Sequence, residues 1–395
     1  MRRPRIKSVF PPIPLGDGRI RIGGGDYGIA SEMVDDEHGN TWHLLNLMDG
    51  TRTRAELGAD MAEHCPEIAA GEVNDAIDAL IDMGFVEDAA APPPAELPAA
   101  ELERYRRNLE FFSYFHKPPL TSADFQLRLR NARVTVLGIG GLGSYVAMSL
   151  AAIGVGDILL VDHDDVELMN LNRQVLYTDG DVGSPKVQAA VRRLTEINPH
   201  IRVTARNAMV DGVASARSCM AGRDLVICAA DRPRLTLYQW LNEAALLERT
   251  AWMRGSNDGL TVSLFLHVPY QTACFQCVEQ DAAATHPEYT PMADYVVGVI
   301  GDRTINPCNA PMAGMIGNLA ALEAVKYLTG IAEPVITGRK LVVDVHRMET
   351  QFAEGTLLDD CTACGPGGRV PRPQAATGHQ RGHDESAAVS SGVSA

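Results

Sequence analysis

The stretch from Arg133 to Asp162 constrains this chain more than any other part of it. Val134, Val136 and Leu137 read as a buried strand, which breaks at a G-x-G-G-x-G turn made by Gly138, Gly140, Gly141 and Gly143. Ser144 to Ile153 then carries helical patterning, and DILLVD is a second apolar strand ending at Asp162. This is a β-α-β unit with glycines at the start of its helix. It predicts an α/β fold of Rossmann type, a mostly parallel sheet with helices on both faces. Glycines let backbone N–H groups approach a phosphate, and the helix N-terminus favours an anion. Asp162 is placed to accept hydrogen bonds from ribose hydroxyls. By itself the turn fits a nicotinamide dinucleotide better than other nucleotides.

A length of 395 residues predicts two or three domains. The formal net charge of -15 argues against nucleic acid, since such a chain repels phosphate backbones. There is no apolar run of about 18 residues, so no transmembrane helix is expected. The basic start MRRPRIKSVFPPIPLG has no apolar core of a signal peptide, so a cytoplasmic location is expected. Four of the eight cysteines form two C-x-x-C pairs, which in a reducing compartment points to metal or redox chemistry rather than to disulfides.

Residues 1–16 are Pro-rich and basic, and an extended segment is expected there. Residues 17–89 read as a small domain: a strand at Arg19 to Ile22, turn signals at Gly23 to Asp26, and three helical segments. Thr53 is a candidate N-cap with Glu56 three residues on, and Val73, Ile77, Leu80, Ile81 and Met83 share a helical face before Gly84. FVED reads as a short strand. The stretches LLNLMDGTRTRAEL and VNDAIDALIDMGFVED resemble PqqD-like peptide-recognition domains, which implies a winged-helix fold binding the leader of a precursor peptide. A DNA-binding winged helix fits poorly, because residues 17–89 hold 4 Lys/Arg against 17 Asp/Glu. Residues 90–100 read as a Pro/Ala linker, residues 101–365 as the main domain, and residues 366–395 as a disordered tail.

Downstream of the second strand, Asn170, Arg173, Gln174 and Lys186 lie within two dozen residues of Asp162. Hydride transfer has no need of two cations there, whereas a triphosphate and its departing pyrophosphate do. The pattern V-D-x-D-x-V-x-x-x-N-L-x-R-Q followed by G-x-x-K resembles the signature of the ThiF/MoeB, ubiquitin-activating-like superfamily. The resemblance implies an ATP-dependent adenylyltransferase that holds its nucleotide through the glycine turn, Asp162, Asp164, Asn170, Arg173, Gln174 and Lys186. The segment ERYRRNLEFF is similar to the family's R-Y-x-R, which implies that Arg107 reaches the partner subunit's ATP in a homodimer.

DLVICAAD reads as a further strand ending at Asp231, at the sheet edge where ligands bind in open α/β folds, and an acidic group there suits Mg²⁺. The family's magnesium-binding Asp matches Asp231. The MoeB-like branch carries an Arg five residues further on, where this chain has Thr236. The D-x-P…W-x-N pattern of Asp231, Pro233, Trp240 and Asn242 looks closer to the microcin C maturation branch, which acts on a short peptide. Asn242 itself reads equally as a site residue or as helix packing.

Cys274-x-x-Cys277 and Cys361-x-x-Cys364 suit a tetrahedral Zn²⁺, closed by four protein ligands and therefore structural. Cys308 stands just before Ala310-Pro311 and reads as a small, partly buried thiol, with a covalent role as the lesser alternative. The whole pattern predicts adenylation of a carboxylate or amide on a ribosomally made precursor peptide. Adenylation of the terminal Gly of a ubiquitin-like sulfur carrier is the alternative.

Overall fold

The computed structural model describes residues 1–23, 30–300 and 307–373. The turn expected at 24–26 and the tail from 374 onward lie outside the described residues. Strands β1 (Pro4–Ile6), β2 (Pro12–Gly16), β3 (Arg19–Ile22) and β4 (Ser31–Val34) are followed by helices α1 (Asn40–Leu47), α2 (Arg54–His64) and α3 (Ala70–Asp82) and by strand β5 (Val86–Asp88). β2, β3 and β4 form an antiparallel sheet, and β1 pairs antiparallel with β5. Residues 1–16 hold β1 and β2 with a turn at Ser8–Phe10 between them, and they are built into this unit rather than standing apart. Phe10 is the reason: it is 1% exposed and sits edge-on to both Phe85 and Tyr114.

The capping box at α2 forms as its sequence predicts. The Thr53 hydroxyl accepts from the Glu56 amide, and the Glu56 carboxylate accepts from the Thr53 amide at 2.7 Å. Helix α3 buries Val73, Ile77 and Leu80. Met83, expected on the same face, is 43% exposed because the helix ends at Asp82 and Gly84 turns the chain at φ 85°. The segment read as a linker is partly structured. Leu97 is buried, and α4 (Ala99–Arg104) begins within it.

α5 (Arg106–Ser113) and α6 (Ser122–Asn131) lead into the large sheet. Its parallel part comprises β6 (Arg133–Leu137), α7 (Gly141–Ile153), β7 (Asp157–Asp162), α8 (Lys186–Ile197), β8 (Arg202–Asn207), α9 (Val213–Met220), β9 (Leu225–Cys228), α10 (Thr236–Glu248) and β10 (Ala251–Asp258). β11 (Thr261–His267), α11 (Phe275–Thr285), α12 (Tyr289–Tyr295), α13 (Ala310–Thr329), β12 (Arg339–Asp344) and β13 (Glu349–Glu354) complete the domain. The strand order is β13-β12-β11-β10-β9-β6-β7-β8. The five strands from β10 to β8 are mutually parallel, and the β11, β12 and β13 edge is antiparallel.

Side chains alternate across this sheet with the two-residue period of a strand. Val134, Val136, Ile158, Leu160, Leu225 and Ile227 enter the core under α7, α8 and α13. Leu137, Leu159, Val161, Val226 and Cys228 enter the core under α9 and α10. The near-continuous apolar strands are thus explained by burial on both faces. α13 lies close on α7 because it is built from small residues: a Cβ at Gly317 would come 2.6 Å from the Tyr145 Cβ.

The N-terminal unit is fastened to the main domain by a buried ammonium. Lys7 is 1% exposed and donates to the carbonyls of Ser113 and His116, at 2.9 and 2.5 Å. Burial lowers Lys7 to about 8, against the pull of Glu87. Burial, then the neighbouring Lys7 charge, lowers His116 to about 4, so its ring is neutral in the folded protein near neutrality. Between pH 4 and 6.5 the unfolded chain takes up a proton at His116 that the folded chain refuses, so this site's stability is lost as pH falls through that window. We expect unfolding free energy to drop by up to about 3 kcal/mol between pH 6.5 and 4 from this group. Urea denaturation of the parent and of His116→Gln measures it, with the variant showing the shallower pH dependence.

Candidate nucleotide and metal sites

The turn after β6 is held by contacts that only glycine allows at two of its four positions. Gly138 has φ 84°, and a Cβ there would lie 2.7 Å from the Ala230 nitrogen. A Cβ at Gly143 would lie 1.8 Å from the Gly138 carbonyl oxygen, so the helix start closes directly on the strand end. At Gly140 and Gly141 the space opens toward Gln174 and Arg173, each 3.7 Å from where a Cβ would stand.

Ile139, between the first two glycines, is braced from both sides. Its amide donates to Asp162 Oδ2 at 2.6 Å, and its carbonyl accepts from the Tyr177 hydroxyl at 2.8 Å. Asp162 Oδ1 accepts from the Asp164 amide at 2.9 Å. The carboxylate expected to meet a ribose therefore also holds the turn, and each oxygen keeps a second lone pair. Tyr177 is a residue that sequence reasoning missed. Its only signal was an aromatic three places beyond Gln174, inside an otherwise polar stretch.

The other predicted residues collect at the same strand ends. Lys186 opens α8 nearly buried, and its ammonium meets Asp164 at 2.7 Å. Burial works against the Asp164 charge, but the Lys186 hydrogen bond and charge outweigh it and hold that carboxyl below its ordinary value. Asn170 is buried and its side chain accepts from the Glu167 amide, so it shapes the turn that carries Arg173. Arg173 donates to the Met169 carbonyl and the Asn172 side chain. Gln174 is 3% exposed, and its Oε1 is buried with no hydrogen-bond partner among the described residues. Asp162, His163 and Asp164 also lie close enough together to share a metal, but amides and Lys186 already occupy the two carboxylates.

Two expectations change in detail. The strand before Asp231 ends at Cys228, so Asp231 is an exposed loop residue beyond the sheet edge. Leu235 in the same loop holds φ 57°, a strained conformation for a side chain. Arg107 lies on α5, 82% exposed at its side chain and paired with Glu110. Tyr105 of the same segment is structural. It is buried, accepts from Asn198 Nδ2 and covers Gly154, where a Cβ would come 2.5 Å from its ring.

β6 and β9 are neighbours although β7 and β8 lie between them in sequence, so the chain changes direction across the sheet at the glycine turn. That is the crevice where open α/β sheets bind ligands. A cavity of about 850 Å³, lined by Ala132, Asp224, Thr250 and Ala251, sits at the opposite, amino-terminal ends of β6, β9 and β10.

The profile of the ThiF family matches residues 111–363. The chain belongs to the ThiF family. It is 33% identical over 278 residues to the molybdopterin-synthase adenylyltransferase of Escherichia coli strain K12, covering 69% of this chain and 99% of that one. The sulfur carrier protein ThiS adenylyltransferase of the same organism is also 33% identical, over 243 residues, 61% of this chain and 89% of that one. Among solved structures, E. coli MccB aligns at TM-score 0.74 with 21% identity over 95% of this chain and 99% of its own. PaaA aligns at 0.70 with 24% identity over 89% and 100%. The protein is an ATP-dependent adenylyltransferase with the mostly parallel α/β fold of those structures. Among the described residues, no helix is long and apolar enough to cross a membrane.

The four predicted metal ligands converge. Cys274 Sγ lies 3.7 Å from those of Cys277 and Cys361, and Cys277 Sγ lies 3.5 Å from that of Cys364. A tetrahedron with metal–sulfur bonds near 2.3 Å has edges of about 3.8 Å, so this buried cluster fits zinc. Asn242, ambiguous in the sequence, braces the first knuckle. Its Nδ2 donates to Cys274 Sγ at 3.6 Å and its Oδ1 accepts from the Phe275 amide at 2.8 Å. Residues 369–372, read as part of a disordered tail, donate backbone bonds to Thr362, Ala363 and Cys364. Cys308 is half-buried. Burial raises its thiol, with Arg173 pulling the other way. Cys219 and Cys228 are buried core residues.

Two outcomes follow. Gly143→Ala should lower affinity for a fluorescent ATP analogue at least tenfold in a titration, because the turn has to open. Elemental analysis should find close to one zinc per chain, and Cys361→Ser should lose that zinc together with several degrees of Tm.

Proposed function

We propose that this adenylyltransferase activates a carboxylate or terminal amide on a ribosomally made precursor peptide. The observation that carries the reading is the joining of a small α+β unit to the adenylation domain through the buried Lys7, an architecture that aligns with MccB over nearly the whole chain. One such solved structure holds E. coli MccB together with AMPCPP and MccA. In this reading residues 17–89 form the PqqD-like winged-helix unit that binds the leader, and residues 101–365 perform the chemistry.

A substrate oxygen attacks the α-phosphorus of ATP, a new P–O bond forms, and pyrophosphate leaves with the electrons of the broken bond. Arg173 and Lys186 neutralise the phosphates, Asp162 and Asn170 shape the nucleotide's seat, and Asp231 would hold a Mg²⁺ that offsets phosphate charge. Catalysis is mostly positioning and charge neutralisation. Arg107, exposed on α5, would serve the site of a second copy in a homodimer. The four-cysteine zinc site has no open position and serves the fold.

The alternative, adenylation of the terminal Gly of a ubiquitin-like carrier, is supported by the names of the relatives at 33% identity. Intact-mass analysis of the peptide encoded beside this gene, after incubation with the protein and Mg-ATP, separates the two. Gain of AMP or ATP-dependent loss of water on the peptide is the expected result. AMP on a Gly-Gly-ended carrier, with the peptide unchanged, would transfer the assignment. Arg173→Ala and Asp231→Asn should each slow substrate-dependent ATP–pyrophosphate exchange about 10²- to 10³-fold.

A further inference from the structure

The sheet edge carries a third group that the nucleotide chemistry does not use. Arg254 lies on β10 in register with Cys228, the last residue of β9 before the loop to Asp231. It follows Trp252 on the same face of the strand, so it points toward α10 and α11 rather than toward α7. Its guanidinium carbon lies 5.0 Å from the ring centres of both Tyr238 and Phe275. The two rings meet edge to face at 5.7 Å and form a corner against which the guanidinium rests. Such stacking orients a guanidinium while leaving its N–H edge free to bond.

No carbonyl or carboxylate receives those N–H groups among the described residues, although Arg254 is half-buried. Other arginines of the domain are engaged: Arg130 with Glu101, Arg223 with Asp157, Arg217 with Glu248. The nearby Glu279 is bonded to Tyr289 instead. In a chain of formal net charge -15, a half-buried guanidinium held flat, near the Glu279 charge but not hydrogen-bonded to it among the described residues, can receive a further anion.

The order of strands says which anion. The glycine turn follows β6, with Lys186 and its partner Asp164 on the β7 side, while β9 and then β10 lie on its other side. Two strand spacings put Arg254 about 10 Å from the phosphate cradle, across the loop that carries Asp231. That is too far for the phosphates but right for the acceptor that approaches them. Two-point pairing with the attacking carboxylate would drain its nucleophilicity, so the partner is a neighbouring group. We infer that Arg254 binds a second carboxylate of the substrate, beside the one that is adenylated, and so selects an acidic peptide. This rests on the peptide reading above, since a carrier ending in Gly-Gly offers no second carboxylate at its tip.

The full-length protein, saturated with Mg²⁺ and a non-hydrolysable ATP analogue, is titrated with N-acetyl-Glu-Glu-amide and N-acetyl-Glu-Gln-amide, with binding read by saturation-transfer NMR. Glu-Glu should bind at least about fivefold tighter. That preference should vanish in Arg254→Gln and partly persist in Arg254→Lys. Equal affinities in the parent, no binding of either probe, or an unchanged preference in the Gln variant would each overturn the inference. So would a weakened grip on the ATP analogue, which would assign the arginine to the nucleotide. If the Gln variant does not fold, the parent's own preference still decides. Intact-mass analysis tests the peptide reading separately, so its failure can be told from that of the Arg254 assignment.

Discussion

The hydrogen bond from the Ile139 amide to the Asp162 carboxylate ties the end of β6 to the end of β7. The candidate nucleotide site hangs from it. The same carboxylate accepts from Asp164, Asp164 holds Lys186, and Lys186 starts α8. A buried acid at this point would be costly alone. Two amide donors satisfy its oxygens and fix its position. Tyr177 closes the bracket on the other side of Ile139, so the glycine turn is held by side chains that approach from two elements.

The second constraint is the switch in sheet order. Because β9 lies against β6, the Asp231 loop and the glycine turn share one crevice, and Gly138 can touch Ala230 only by lacking a side chain. α10 then runs from that loop to Asn242, which grips the first cysteine pair. The four-cysteine cluster and the candidate nucleotide edge are thus linked through one helix. The cluster also gathers residues 369–372, so the chain beyond the second knuckle is anchored where composition alone predicts disorder.

At the N-terminal end a charged group replaces a hydrophobic joint. Lys7 reaches carbonyls at the end of α5, and Phe10 meets Tyr114, so the small unit is oriented on the adenylation domain rather than tethered loosely to it. Such an orientation suits the peptide-presenting role proposed for this unit. It also makes the junction sensitive to acid through His116.

The glycine pattern, the apolar strands, the capping box at Thr53 and the cysteine spacing were legible because each is a local rule: φ above zero, a two-residue period, a side chain reaching three residues on. They determined the fold class, the glycine turn and the candidate metal ligands by themselves. The dual task of Asp162, the bracing by Tyr177, the fate of Asn242 and the aromatic corner around Arg254 were not legible. Each depends on residues dozens of positions apart, brought together only when β9 inserts beside β6 and β10 beside β9. A hydrogen bond or a ring contact is short-ranged, so which side chains make one is decided by tertiary packing and not by the order of the chain.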